Sequence, residues 1–111
     1  MYKIKKRIEI SAAHFLKLSA PTKCSNLHGH NWVITIYLKA EKLNADGMIC
    51  DFDLIEKILL DKFDHKVLNE VVDFNPTAEN LAKHICDMFK PHYCYKVKVQ
   101  ESENNVATYE V

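Results

Sequence analysis

Residues 2–14 alternate between apolar and polar side chains, with Tyr2, Ile4, Ile8, Ile10, Ala12 and His14 all at even positions. A second alternating run covers residues 30–39, where Trp32, Ile34, Ile36 and Leu38 are in phase with His28 and His30. Period-two alternation predicts two β-strands, each with one buried face. It also constrains the histidines. His28 and His30 are two residues apart, so both rings leave the same face of an extended chain. His14 ends the apolar face of the first run. If the two strands are neighbours, three imidazoles meet at one point. That is the ligand set of an open zinc site, whose fourth position is left for water or substrate. Three neutral imidazoles favour zinc over magnesium or calcium. A lone histidine on an apolar face is usually a core residue with a satisfied hydrogen bond; three in phase on two strands point to a metal.

The rest of the chain supplies the layer that covers this face. Residues 15–27 read as a loop holding Pro21 and Cys24, and Asn44-Ala45-Asp46-Gly47 reads as a turn. Asp51 or Asp53 opens a helix with the stripe Ile55, Ile58 and Leu59, and Asp53 with Glu56 has the spacing of a capping box. A second helix follows Asn75-Pro76-Thr77, capped by Thr77 or Asn75, with the stripe Leu81, Ile85, Met88 and Phe89, and Pro91 stops it. Val97 and Val99, in phase with Glu101, mark a third strand, and residues 106–111 a fourth. The expected order is ββααββ. This is an α+β fold, a four-stranded antiparallel sheet with two helices on one face, in a single domain over residues 1–111. Such a sheet leaves two open edges, and an uncovered face where Val33 and Tyr37 sit among Lys5, Thr35 and Lys39. Open edges invite pairing with another chain.

Fifteen basic and fifteen acidic residues cancel. The balance argues against nucleic acid or an anionic membrane as partner. The apolar runs are far shorter than a membrane span, and Met1-Tyr2-Lys3-Ile4-Lys5-Lys6-Arg7 lacks the core of a signal peptide. A cytoplasmic location is expected, with the four cysteines as thiols; Cys24, Cys50, Cys86 and Cys94 contain no CxxC pair. Cys86 falls in a helical pattern and reads as packing, and neither Cys50 nor Cys94 suggests a role.

Cys24, four residues before His28, has three readings. As a fourth ligand it would close the site into a structural one. Held off the metal, it would work as a base or nucleophile beside a positive charge. As a surface thiol it would be inert. Its place on a loop suits a mobile catalytic group. In Asp64-His65 a carboxylate could fix the tautomer of an imidazole and build a proton shuttle. From the residues alone, a solvated helix end is the simpler reading. Glu101 at a strand end is ordinarily just exposed, yet its phase aims it at the histidines. His84 and His92 read as surface or capping groups.

His14 behind Ser11-Ala12-Ala13, followed by Cys24-Ser25-Asn26-Leu27-His28-Gly29-His30, resembles the zinc and cysteine signature of the 6-pyruvoyl-tetrahydropterin synthase family. Its bacterial branch is 6-carboxy-tetrahydropterin synthase, of queuosine biosynthesis. The resemblance continues in Gly47-Met48-Ile49-Cys50-Asp51-Phe52, Asp64-His65-Lys66-Val67-Leu68-Asn69, Asn75-Pro76-Thr77-Ala78-Glu79-Asn80 and Val99-Gln100-Glu101-Ser102. These blocks keep the family order over nearly the whole chain.

The resemblance implies the tunnelling fold, in which subunits of a homo-oligomer, a tetramer or hexamer, pair their sheets into a barrel with active sites at subunit interfaces. It implies that His14, His28 and His30 bind zinc and that Cys24 is the catalytic thiol. Asp64 and His65 become a second acid–base unit, Glu101 the anchor of the pterin, and Thr77 a further contact with the ring. Glu79 is adequately explained by the helix dipole. The implied substrate is 7,8-dihydroneopterin triphosphate, converted to 6-carboxy-5,6,7,8-tetrahydropterin with release of acetaldehyde and triphosphate. The alternative product is the 6-pyruvoyl compound, formed without side-chain cleavage. A further branch with glutamate near the cysteine position is disfavoured by Cys-x-x-x-His-Gly-His. Lys17 and Lys23 are candidates for the triphosphate, with solvated lysine as the simpler reading. Two other functions compete: a zinc-stabilised binding module, with Cys24 on the metal, and a zinc hydrolase needing neither Cys24 nor Glu101.

Overall fold

The first alternating run forms β1 (Tyr2–His14) and the second β2 (His28–Ala40), in a computed structural model that describes all of residues 1–111. The two strands pair antiparallel along their whole length, with Ile8 opposite Ile34, Ile10 opposite Trp32 and His14 opposite His28. From Ile8 to Ala12 and from Trp32 to Leu38 their even-numbered apolar side chains are buried, while the odd-numbered positions are more exposed. After β2 come α1 (Phe52–Phe63), β3 (Lys66–Val67), α2 (Leu68–Val71), α3 (Ala78–Met88), β4 (Cys94–Ser102) and β5 (Asn105–Glu110). The sheet order is β3-β1-β2-β4-β5, with β3 parallel to β1 and all other pairs antiparallel. Helix α1 packs on β1, and α3 on β4 and β5.

The α+β layering follows the sequence, but the sheet is five-stranded and mixed rather than four-stranded and antiparallel, and there are three helices rather than two. The added elements are too short to carry a period. β3 is two residues long and α2 is four. They exist because His65 takes a left-handed backbone (φ 58°) and turns the chain back along β1. The capping box of α1 is also replaced: Asp51 is the cap, and its carboxylate accepts the Asp53 N–H at 2.8 Å. Thr77 caps α3, its hydroxyl accepting from the Asn80 N–H at 3.1 Å.

Twenty-one buried apolar residues form one core between the sheet and the helices, with Trp32, Ile36, Leu38, Ile55, Leu59, Val97 and Phe89 fully enclosed. A β-bulge opposite Tyr37 and Leu38 shifts the phase of β4, so Cys94 and then Val97 and Val99 all point inward. All four cysteines are free thiols. Burial and the neighbouring Cys94 push the Cys86 thiol up to about 12, and burial also raises Cys50 and Cys94. His84 departs from the surface role expected for it: it is half-buried against Phe63 and Phe74, with Lys62 Nζ 3.1 Å from its Nε2. No helix is long and apolar enough to cross a membrane.

Truncating Ile36, enclosed at the centre of the sheet, to Ala should cost about 2–5 kcal/mol of unfolding free energy. Thr35→Ala on the uncovered face should stay within about 0.5 kcal/mol. Urea unfolding monitored by Trp32 fluorescence checks both.

Candidate metal centre

Register brings the three histidines together. His14 and His28 are direct cross-strand partners, and His30, opposite Ala12, is the next residue on the same face. The ring centroids lie 4.6 Å apart for His14 and His28, 5.2 Å for His14 and His30, and 4.9 Å for His28 and His30. One nitrogen from each ring lies within 4.8 Å of the others, which makes the trio a group able to hold a metal ion. Trp32 forms the floor, its ring 4.9 Å from His14 and 5.2 Å from His30, and its Nε1–H donates to the Ala12 carbonyl at 3.1 Å.

Two of the rings are oriented from outside. His14 Nδ1 lies 2.8 Å from the Pro76 carbonyl, and His28 Nδ1 lies 2.7 Å from the Asn26 carbonyl. A carbonyl only accepts, so each Nδ1 carries a proton, and in a neutral ring so held Nε2 is the nitrogen with the lone pair. This arrangement also orients metal-binding histidines. The Nε2 atoms of His14 and His30 are buried and have no hydrogen-bond partner. An unpartnered buried polar atom is costly, about 1–3 kcal/mol. A cation shared by the three rings would satisfy both, so the donor set fits a metal. Burial is the main force holding the His14 and His30 imidazoles below their ordinary pKa. That favours the neutral rings that ligation needs.

Glu101 completes the rim. It lies in a bulge between Gln100, which pairs with Val106, and Ser102, which pairs with Asn105. Bulges re-aim side chains beside functional sites. The Glu101 carboxylate comes 3.5 Å from His30 Nε2 and 3.9 Å from His14 Nε2. These distances are too long for hydrogen bonds. The phase argument from β4 holds for this carboxylate.

Cys24, His28, His30 and Glu101 line one cavity of about 470 Å³, together with Lys23, Ser102 and Asn105. Glu101 is also a wall of a neighbouring cavity of about 560 Å³ that holds Thr77 and Glu79. Cys24 sits on a short 3₁₀ turn (Lys23–Ser25) and is not in the group of clustered metal-binding atoms. Asp64 and His65 are absent from both cavities. They stand at the C-terminal end of α1, where Asp64 is the cap, and pair with each other, Asp64 Oδ2 to His65 Nδ1 at 3.0 Å. Asp64 Oδ1 accepts the Ser11 N–H at 3.0 Å, and the His65 N–H donates to the Ser11 carbonyl at 2.7 Å. The Ser11 bond is the main cause holding the Asp64 carboxyl below its usual range. His65 is 81% exposed at the outer edge of β1. A non-glycine residue in the left-handed region stores strain and persists where its surroundings over-determine it.

The family profile described as 6-pyruvoyl tetrahydropterin synthase matches residues 3–111. The chain belongs to that family. The 6-carboxy-5,6,7,8-tetrahydropterin synthase of Bacillus subtilis is 28% identical to it, over 97% of this chain and 84% of that one. A 6-pyruvoyl tetrahydrobiopterin synthase of Dictyostelium discoideum is 37% identical over 78% of this chain and 73% of its own. The solved structure of the Caenorhabditis elegans 6-pyruvoyl tetrahydropterin synthase superposes with a TM-score of 0.80 at 29% identity, covering 99% of this chain and 95% of that one. The α+β architecture is therefore that of the 6-pyruvoyl tetrahydropterin synthase family, the tunnelling fold. Two features of this family member were not anticipated from its sequence. Backbone carbonyls of Asn26 and Pro76 orient His28 and His14 without any side-chain signature, and the β4–β5 bulge at Glu101 has no local marker.

A cation bound to the native state alone stabilises it by about 2.7 kcal/mol at a hundred times its dissociation constant. Zinc in that excess should raise the melting temperature of chelator-treated protein. His28→Ala, at a half-exposed imidazole of the trio, should abolish the rise and lower the bound metal measured by atomic emission. An equal rise in the variant would count against the three-histidine site.

Proposed function

We propose that this chain is a zinc-dependent lyase that converts 7,8-dihydroneopterin triphosphate and water to 6-carboxy-5,6,7,8-tetrahydropterin, acetaldehyde and triphosphate, in queuosine biosynthesis. The observation that carries the proposal is the single cavity lined by Cys24, two of the clustered imidazoles and the Glu101 carboxylate. A zinc-stabilised binding module would need Cys24 on the metal, whereas the clustered ligand atoms are those of the three histidines; a simple hydrolase requires neither Cys24 nor Glu101.

His14, His28 and His30 would hold the zinc. When bound, it polarises the side-chain oxygens of the substrate and makes the neighbouring C–H more acidic. Glu101 can accept two parallel hydrogen bonds, from the 2-amino group and the adjacent ring N–H of a pterin. Glu101 is a wall of both the Thr77 cavity and the Cys24 cavity. Cys24 then removes a proton from the side chain, and His65, oriented by Asp64, moves protons on the opposite face. The internal proton shifts carry reducing equivalents from side chain to ring, so no nicotinamide enters the balance.

The position of Asp64 and His65 bears on assembly. We place them in the active site of a neighbouring subunit of a homo-oligomer. An exposed imidazole fixed on a strained turn at a sheet edge suits service to another chain. The edges are available: β3 pairs with β1 only at Ala12 and Ala13, and β5 has a partner on one side only.

A second reading has specific support. The Dictyostelium relative and the Caenorhabditis structure are both 6-pyruvoyl enzymes by name. Elimination of triphosphate without side-chain cleavage consumes no water, so the two products differ in mass.

Zinc-loaded protein incubated with dihydroneopterin triphosphate should release triphosphate and a product with the mass of the 6-carboxy compound. No triphosphate release would sink the lyase reading, and the pyruvoyl mass would select the second reading. Cys24→Ala should keep its zinc and lose at least 100-fold in turnover; lost zinc would favour a structural site and unchanged turnover a hydrolase. Cys24→Ala and His65→Ala should each be inactive alone, and co-assembly of the two should restore turnover. Failure to complement would place both groups in one subunit's site.

A further inference from the structure

Two asparagines outside the cavity are tied to the segment that leads to Cys24. Phe15 donates its N–H to Asn69 Oδ1 at 2.9 Å, and Asn69 Nδ2 donates back to the Phe15 carbonyl at 2.9 Å. Lys17 donates its N–H to Asn75 Oδ1 at 3.0 Å, and Asn75 Nδ2 donates back to the Lys17 carbonyl at 3.0 Å. Each amide therefore saturates both backbone groups of one residue, as a partner residue would in a hydrogen-bonded antiparallel pair. Residues 15 and 17 present their backbone groups on the same side of the chain. Between them, Leu16 points its N–H the other way, into the Cys24 carbonyl at 2.9 Å. The segment is held between two asparagines on one side and Cys24 on the other.

The same short stretch serves other parts of the site. Pro76, next to Asn75, supplies the carbonyl that orients His14. Thr77 lines the cavity beside Glu101. Asn75 itself is braced, its carbonyl accepting from Thr77 N at 2.8 Å and from Asn80 Nδ2 at 2.9 Å.

We infer that Asn69 and Asn75 are positioning residues, acting as two strand surrogates that pin residues 15–17 and so set where the Cys24 thiol stands relative to the three imidazoles. The inference rests on the lyase reading for the role of Cys24, but not for the geometry. The 13-residue link between β1 and β2 carries only one short 3₁₀ turn of its own, so without these bonds little would fix Cys24, and a misplacement of about 1 Å can cost roughly 100-fold in rate. The Asn69 pair is part-buried and the Asn75 pair exposed. Water can replace the second more easily, so Asn69 is the more sensitive position.

Asn69→Ala should lower kcat by tenfold or more and Asn75→Ala by about threefold to tenfold, with KM changed less than threefold and zinc retained. Hydrogen exchange at the Leu16 amide should accelerate at least tenfold in Asn69→Ala while core amides of β2 keep their protection. The rate of Cys24 alkylation by iodoacetamide should change with it. If Asn69→Ala fails to fold, Asn69→Asp, which keeps the acceptor half, is read by the same three measurements. A kcat within twofold of wild type together with an unchanged Leu16 amide overturns the inference, even if the melting temperature falls. Should the wild type not turn over the pterin, the lyase reading fails, and Leu16 exchange and Cys24 alkylation still decide the positioning role.

Discussion

The register between β1 and β2 places His14 against His28 and Ala12 against His30, and the rest of the site depends on that alignment. A slip of one residue would turn every side chain of a strand to the opposite face. Here it would expose Ile8, Ile10 and His14 together, so core and site would be lost at once. The core is what holds the register. Ile8, Ile10, Trp32, Ile34, Ile36 and Leu38 all lie on the helix-covered face and are nearly inaccessible to solvent. Moving that much apolar surface into water outweighs any local preference the histidines have.

The imidazoles thus sit at one end of a hydrophobic face, and burial shapes their chemistry. It holds His14 and His30 toward the neutral form and leaves their Nε2 atoms without hydrogen bonds. The low-dielectric surroundings that make such atoms costly also strengthen what they can bind. The orphaned atoms cost stability at this end of the sheet, and a bound cation would offset that cost.

Legibility varied with the physical range of each signal. β1, β2, α1, α3 and the inward phase of Glu101 were visible because each rests on several residues repeating at a fixed period. β3 and α2 were not, since two and four residues show no period and form only where the left-handed turn at His65 delivers them. Asn69 appeared only as a letter in a motif block, and Asn75 only as a candidate helix cap. Their partners are the backbone groups of Phe15 and Lys17, more than fifty residues away, and backbone partners leave no mark in a sequence. Asp64 and His65 do close α1, with His65 exposed, but adjacency does not imply contact, and their bonds to Ser11 come only with the tertiary structure.

What the sequence alone determined was the set of side chains that share a face, because alternation in a strand is a local property of the backbone. That was enough to group His14, His28, His30 and Glu101 and to call for helices over them. Only the tertiary structure decided how that group is used. It chose the tautomers of His14 and His28 through the carbonyls of Pro76 and Asn26, set Cys24 beside the cluster and not within it, and carried Asp64 and His65 to an outer edge. Each of those outcomes depends on hydrogen bonds whose partner is fixed by the packing of the whole chain.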